Sequence, residues 1–91
     1  MYTLSAKLTF YIPYAASLKD KRQVRRSLVD KTRHRFNAAV AEVDTQDIQQ
    51  TLTIGVAVVS GDNAHARNSL DEIIRFMEEH AEAELTRVEE C

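Results

Sequence analysis

Tyr2-Thr-Leu-Ser-Ala-Lys-Leu-Thr-Phe-Tyr-Ile12 is the stretch on which the fold turns. It alternates with period two. Leu4, Ala6, Leu8, Phe10 and Ile12 take one side; Thr3, Ser5, Lys7, Thr9 and Tyr11 take the other. That is a strand with one buried and one open face. Pro13 has no backbone N–H to give a neighbour and ends it. Ser17 then opens a helix as its N-cap. Asp20, three residues on, is placed to reach back to an orphan N–H and to oppose the helix dipole. Val24, Leu28, Thr32, Leu18, Phe36 and Val29 fall on one arc of ~140°, the stripe that faces the sheet. Lys21 and Arg25 also fall inside this arc. They are expected to run past the sheet edge, their stems covering apolar surface. Asn37 is the helix stop.

The rest of the chain repeats this strand and helix. Residues 38–44 read as a second strand, followed by a polar connection over 44–50. In 51–60 the even set Leu52, Ile54, Val56 and Val58 is apolar, which marks a third strand. Ser60-Gly61-Asp62 turns into a helix over 63–80 with the stripe Ala66, Leu70, Ile73, Ile74 and Met77. Leu85 and Val88 have opposite parity within the last strand, 83–90, which points to a bulge. The first strand is expected over 2–13 and the first helix over 18–36. The core should gather Leu8, Phe10, Leu28, Phe36, Ile54, Val56, Leu70, Ile73 and Met77. The order β-α-β-β-α-β with right-handed crossovers predicts an α+β, ferredoxin-like domain. Its four-stranded antiparallel sheet has order 4-1-3-2 and both helices on one face.

At 91 residues the chain makes one domain, 1–91. Two glycines and one proline leave too few tight turns for an all-β sandwich. Cys91 is the only cysteine, so no internal disulfide forms, and no base lies near it in sequence. No apolar run reaches the length of a transmembrane helix, and Met1–Lys7 does not read as a signal peptide. The expectation is a cytoplasmic protein with no membrane partner.

Charge is distributed unevenly. Residues 17–36 hold eight of the twelve Lys and Arg against only Asp20 and Asp30, while residues 37–91 hold three Arg against twelve carboxylates. A basic helix in an acidic domain suggests an anionic partner for one face. Lys19, Arg22, Arg26 and Arg33 fall within ~60° on one flank of the apolar stripe and are the candidate nucleic-acid contacts. The competing reading is a solvated face, neutralised by the acidic second helix and by a local Arg26–Asp30 pair. Base stacking on the open sheet face is disfavoured, because the third strand has no ring there and the first offers only Tyr11.

Enzymatic readings lack their parts. The loop Pro13-Tyr-Ala-Ala-Ser17 has neither the Gly nor the Arg of an acylphosphatase anion loop, and there is no Cys-x-x-Cys for a copper chaperone. His34, His65 and His80 are scattered, and the last two lie over ~20 Å apart along a helix, too far to share a metal. No cofactor and no metal site are expected. Glu42, Asp44 and Asp47 cluster at the second connection and read as a solvated loop whose Asp residues bond to nearby backbone.

Three motifs resemble the YlxP-like family of small bacterial domains of unknown function. They are Ser17-Leu-Lys-x-Lys-Arg-x-Val with Ser27-Leu and Arg35-Phe-Asn37, then Ala41-Glu-Val-Asp-x-Gln-Asp47 with Gln50, then Gly55-Val-Ala-Val-Val-Ser60. The resemblance implies a ferredoxin-like fold and a bacterial cytoplasmic protein. Genes of that family are often found near those for translation initiation and ribosome maturation factors. This chain departs from the family at Gln49, where an aromatic residue is common. The expected function is a small binding domain, not an enzyme, with RNA or a ribosomal particle as partner. The alternative is a homodimeric scaffold. It would pair through the open face, where Thr9, Tyr11, Thr53, Ala57 and Val59 stand in a set of ten residues with one charge, on Lys7.

Overall fold

A computed structural model describes residues 1–91, and its elements follow the expected order. They are β1 (Tyr2–Tyr11), α1 (Leu18–Arg35), β2 (Ala39–Glu42), β3 (Thr51–Ser60), α2 (Asn63–His80) and β4 (Glu84–Glu90). The sheet is antiparallel with order β2-β3-β1-β4, which is 4-1-3-2 read from the other edge. β1 and β3 pair along their whole length, from Tyr2 opposite Ser60 to Tyr11 opposite Thr51.

Local chemistry sets the helix ends. The Ser17 hydroxyl accepts from the Asp20 N–H at 3.2 Å, and the Asp20 carboxylate accepts from the Ala16 N–H at 2.9 Å. Two donors at the start of α1 are thus satisfied reciprocally. Asp62 caps α2 by accepting from the Ala64 N–H at 3.0 Å. Thr32 fits the buried stripe because its hydroxyl donates to the Leu28 carbonyl one turn back, at 2.7 Å.

One core cluster holds the inward even-numbered residues of β1 and β3 and the stripes of both helices. Leu8, Phe10, Leu28, Ile54, Val56, Leu70, Ile73 and Met77 are all buried in it. Phe36 is only half-buried. It lies just past the last turn of α1, at the rim, edge-on to Phe76 with ring centroids 5.3 Å apart. The bulge falls in β4, where Leu8 faces Val88 but Phe10 faces Leu85. It brings both apolar residues to the helix side, with Leu85 half-buried and Val88 exposed. β2 is shorter than expected because Asp44 adopts φ 66°, a left-handed conformation that turns the chain out of the strand. No helix is long and apolar enough to cross a membrane.

Candidate basic surface

Lys21 does not run past the sheet edge. It is fully buried, and its ammonium group points into the β2–β3 connection. Nζ donates to Glu42 Oε2 at 2.8 Å and to the Thr45 carbonyl. The carbonyls of Gln46 and Thr51 stand 3.4 Å away. Glu42 is as dry, its side chain 3% exposed. Its other oxygen faces Arg25 Nη1 at 3.4 Å, and the Thr45 hydroxyl donates to Oε2 at 3.0 Å. A buried ion pair is tolerable when hydrogen bonds complete both ions, as they do here. The connection is therefore ordered. After the turn at Asp44, Thr45 comes back so that its hydroxyl accepts from the Thr53 N–H at 2.9 Å. Of the three acids expected to be solvated, Glu42 is internal. Asp44 accepts from Lys7 across the open face at 2.7 Å, and only Asp47 is left in solvent without an ion pair. That hydrogen bond, then the charge behind it, raises the pKa of Lys7 above its ordinary 10.5.

The signal for the inner pair was present in the sequence. Lys21 lies in the apolar arc of α1, and Glu42 shares the parity of Val40, the inward residue of β2. Opposite charges on two facing inward surfaces mark a buried pair.

The outer cations behave differently. Lys19, Arg22 and Arg26 are exposed and line one shallow concavity on the outer side of α1. None has a carboxylate within ion-pair distance, and Arg26 forms no pair with Asp30. Arg33, the fourth of the set, turns toward the sheet edge, where Nη2 donates to the Val40 carbonyl at 2.7 Å. It shares with Arg26 a cleft between α1 and β2. The flank faces β2, and no carboxylate of α2 pairs with it. The cations without an ion pair are Lys19, Arg22, Arg26, Lys31, Arg33 and Arg35 on α1, and Arg75 on α2.

The open sheet face divides into two halves. Toward β2 it is apolar and small-residued. Ala39, Ala41, Val43, Gly55 and Ala57 line a shallow groove of about 410 Å³. Val59 stands at its end, 65% exposed. A Cβ on Gly55 would meet Val43 Cγ1 at 3.2 Å, so Val43 lies against the sheet there. Toward β4 the face is charged, because Arg87 is opposite Thr9 and Glu89 opposite Lys7. Thr53 lies under the connection at 5% exposure, its hydroxyl 3.4 Å from that of Thr9. Tyr11 is exposed at the far end of β1.

With the geometry established, similarity to known proteins narrows the reading. The family described as "Protein of unknown function (DUF503)" matches residues 3–90. The chain is 31% identical over 72 residues to the uncharacterized protein YlxP of Bacillus subtilis (strain 168), across 79% of this chain and 78% of that one. Among solved structures, the solution NMR structure of the de novo designed protein LFR1 1, with ferredoxin fold, aligns at TM-score 0.60 and 18% identity. That alignment covers 96% of this chain and 83% of the designed one, and it speaks to the fold alone.

Proposed function

This chain belongs to the DUF503 family, whose function is unknown, and from that premise we propose that it is a small cytoplasmic binding domain, not an enzyme, which takes the phosphate backbone of RNA on the outer face of α1. The observation that carries this reading is the unpaired state of Lys19, Arg22, Arg26 and Arg33. Lys31 and Arg35 of the same helix are also unpaired, whereas outside α1 Lys7, Arg67 and Arg87 each have a carboxylate partner and Arg75 alone has none. A row of cations along one helix, three of them guanidinium groups, without internal counterions suits phosphate, which Arg grips through two N–H groups at once.

The test is affinity for single-stranded RNA as a function of salt. Four phosphate contacts predict a slope of log K on log salt near −3, about −0.7 per contact. Changing Lys19, Arg22, Arg26 and Arg33 together to Ala removes binding at moderate salt and leaves the circular dichroism spectrum unchanged. No affinity in the wild type at low salt, or equal affinity in the variant, refutes the reading. Co-migration with ribosomal particles on a sucrose gradient is the corresponding test in lysate.

A second reading rests on the apolar half of the open face. Small and β-branched side chains there suit close packing against a second sheet ~10 Å away, which makes the chain a homodimer. The Ala57→Glu, Val59→Glu double variant then gives a folded monomer by light scattering where the wild type is a dimer.

A further inference from the structure

The β2 edge and α1 enclose a cleft of about 330 Å³. Its α1 wall carries Arg26, Asp30 and Arg33 at one-turn spacing, and Val29 lies between the two walls. The Val43 N–H donates to the Thr53 carbonyl, and Ala41 is opposite Gly55 and Ala39 opposite Ala57. In an antiparallel pair the hydrogen-bonded positions alternate, so the odd residues of β2 bond inward to β3. The even ones, Val40 and Glu42, then direct N–H and C=O outward into the cleft. The Arg33–Val40 hydrogen bond agrees with that parity.

Two acceptors in this cleft, the Val40 carbonyl and the Glu42 carboxylate, are already engaged. Arg33 occupies the Val40 carbonyl, which also blunts the edge against an added strand. The Glu42 carboxylate is taken by Lys21, Thr45 and Arg25. Asp30 is the remaining carboxylate, and it pairs with neither Arg26 nor Arg33. The cleft's remaining groups are mostly donors: the N–H groups of Val40, itself only 2% exposed, and Glu42, and the free guanidinium nitrogens of Arg26 and Arg33, against the Asp30 carboxylate and the Glu42 carbonyl. Backbone N–H groups converging with guanidinium groups form an anion seat, and a tetrahedral oxyanion accepts from both walls at once.

We infer that the α1–β2 cleft is a phosphate seat, in which a phosphodiester of the RNA strand is held between Arg26 and Arg33 on one side and the Val40 and Glu42 N–H groups on the other. This rests on the RNA reading above and gives it a fixed point. Lys19 and Arg22 steer the backbone along the helix, and the cleft binds one phosphate closely.

Two measurements on the full chain separate this seat from the wider reading. The first is an NMR titration with inorganic phosphate at low ionic strength. Saturable shifts are expected at the Val40 and Glu42 amides and at the Nε–H groups of Arg26 and Arg33. Shifts confined to Lys19 and Arg22, or none, overturn the seat. The second is the affinity of a ten-nucleotide single-stranded RNA for Arg33→Gln, which removes the charge and keeps an uncharged donor, and for Arg26→Gln. Each is expected to bind roughly tenfold more weakly, and the Arg26→Gln/Arg33→Gln double variant to show a salt slope shallower by about 0.7, the share of the one phosphate they hold together. If both bind as wild type while Lys19→Ala/Arg22→Ala loses affinity, the seat is wrong and the RNA reading survives. If phosphate shifts the cleft amides and no RNA binds at low salt, the seat stands and the RNA reading falls.

Discussion

Lys21 and Arg22 are neighbours on one helix with the same formal charge, yet they occupy opposite environments. Lys21 has no solvent exposure and lies against a carboxylate and backbone carbonyls, whereas Arg22 is exposed without an ion pair. A 100° step around the helix is the whole difference. Cations in the apolar arc are structural parts whose charge is internally compensated. Cations on the flank keep an uncompensated charge, and only Arg33 among them bonds within the chain, to the Val40 carbonyl. The regional charge excess mixes the two kinds, and only the second is available to a partner.

The sharpest way to break this comparison is to remove the inner cation. Lys21→Met leaves the Glu42 carboxylate dry and without its closest charge partner, and is expected to cost about 3–5 kcal/mol, measured by urea unfolding. That is a large share of the ~5–15 kcal/mol of a whole domain. Lys21→Met/Glu42→Leu should regain part of the loss, because no buried charge is then stranded. A Lys21→Met protein as stable as wild type would contradict the inner assignment. Thr45→Val comes next. It strips the acceptor of the Thr53 N–H and one donor to Glu42, and should cost about 1–3 kcal/mol in the same assay.

The outer set should show the reverse. Changing Lys19, Arg22 and Arg26 each to Ala is expected to shift stability by no more than ~0.5 kcal/mol apiece, while RNA affinity collapses. A large stability loss would mean that the flank is structural after all. The smallest effect belongs to the surface pair Lys7–Asp44. The folded-state pKa of Lys7 is raised, so its contribution is complete below 10.5 and fades only as pH climbs through the higher folded value. The wild type should therefore lose a little stability in strong base, and Lys7→Met should flatten that loss and change little near neutrality.

Much of this was legible from residue order. Alternation in β1, the Ser17 cap, the stripe of α2 and the mixed parity of β4 each arise from local rules, and each element formed where those rules put it. Burial of Lys21 is not evident from residue order, because snorkelling is the usual fate of a long cation in an apolar arc. Deciding otherwise needs Glu42 opposite it, and that is a contact between distant segments. Burial of Thr53 was hidden for a similar reason: it depends on the left-handed turn at Asp44, which folds the connection over β3. Phe36 fell short of the core because α1 ends one residue before it. The outer flank could be identified from helix angles alone. That its charges stay unpaired depends on which side of α1 faces α2.

The buried pair has a consequence for the conformations this chain avoids. β2 is Ala-Val-Ala-Glu, preceded by another alanine, so its small side chains distinguish poorly between neighbouring alignments on β3. A slip by one position would carry every side chain of β2 to the opposite face of the sheet. Glu42 would then swing out to solvent and Val43 inward, stranding the Lys21 ammonium in a dry interior. Misaligned states bear that penalty and the correct one does not. Through one ionic contact, α1 thus proofreads the placement of a strand too bland to place itself.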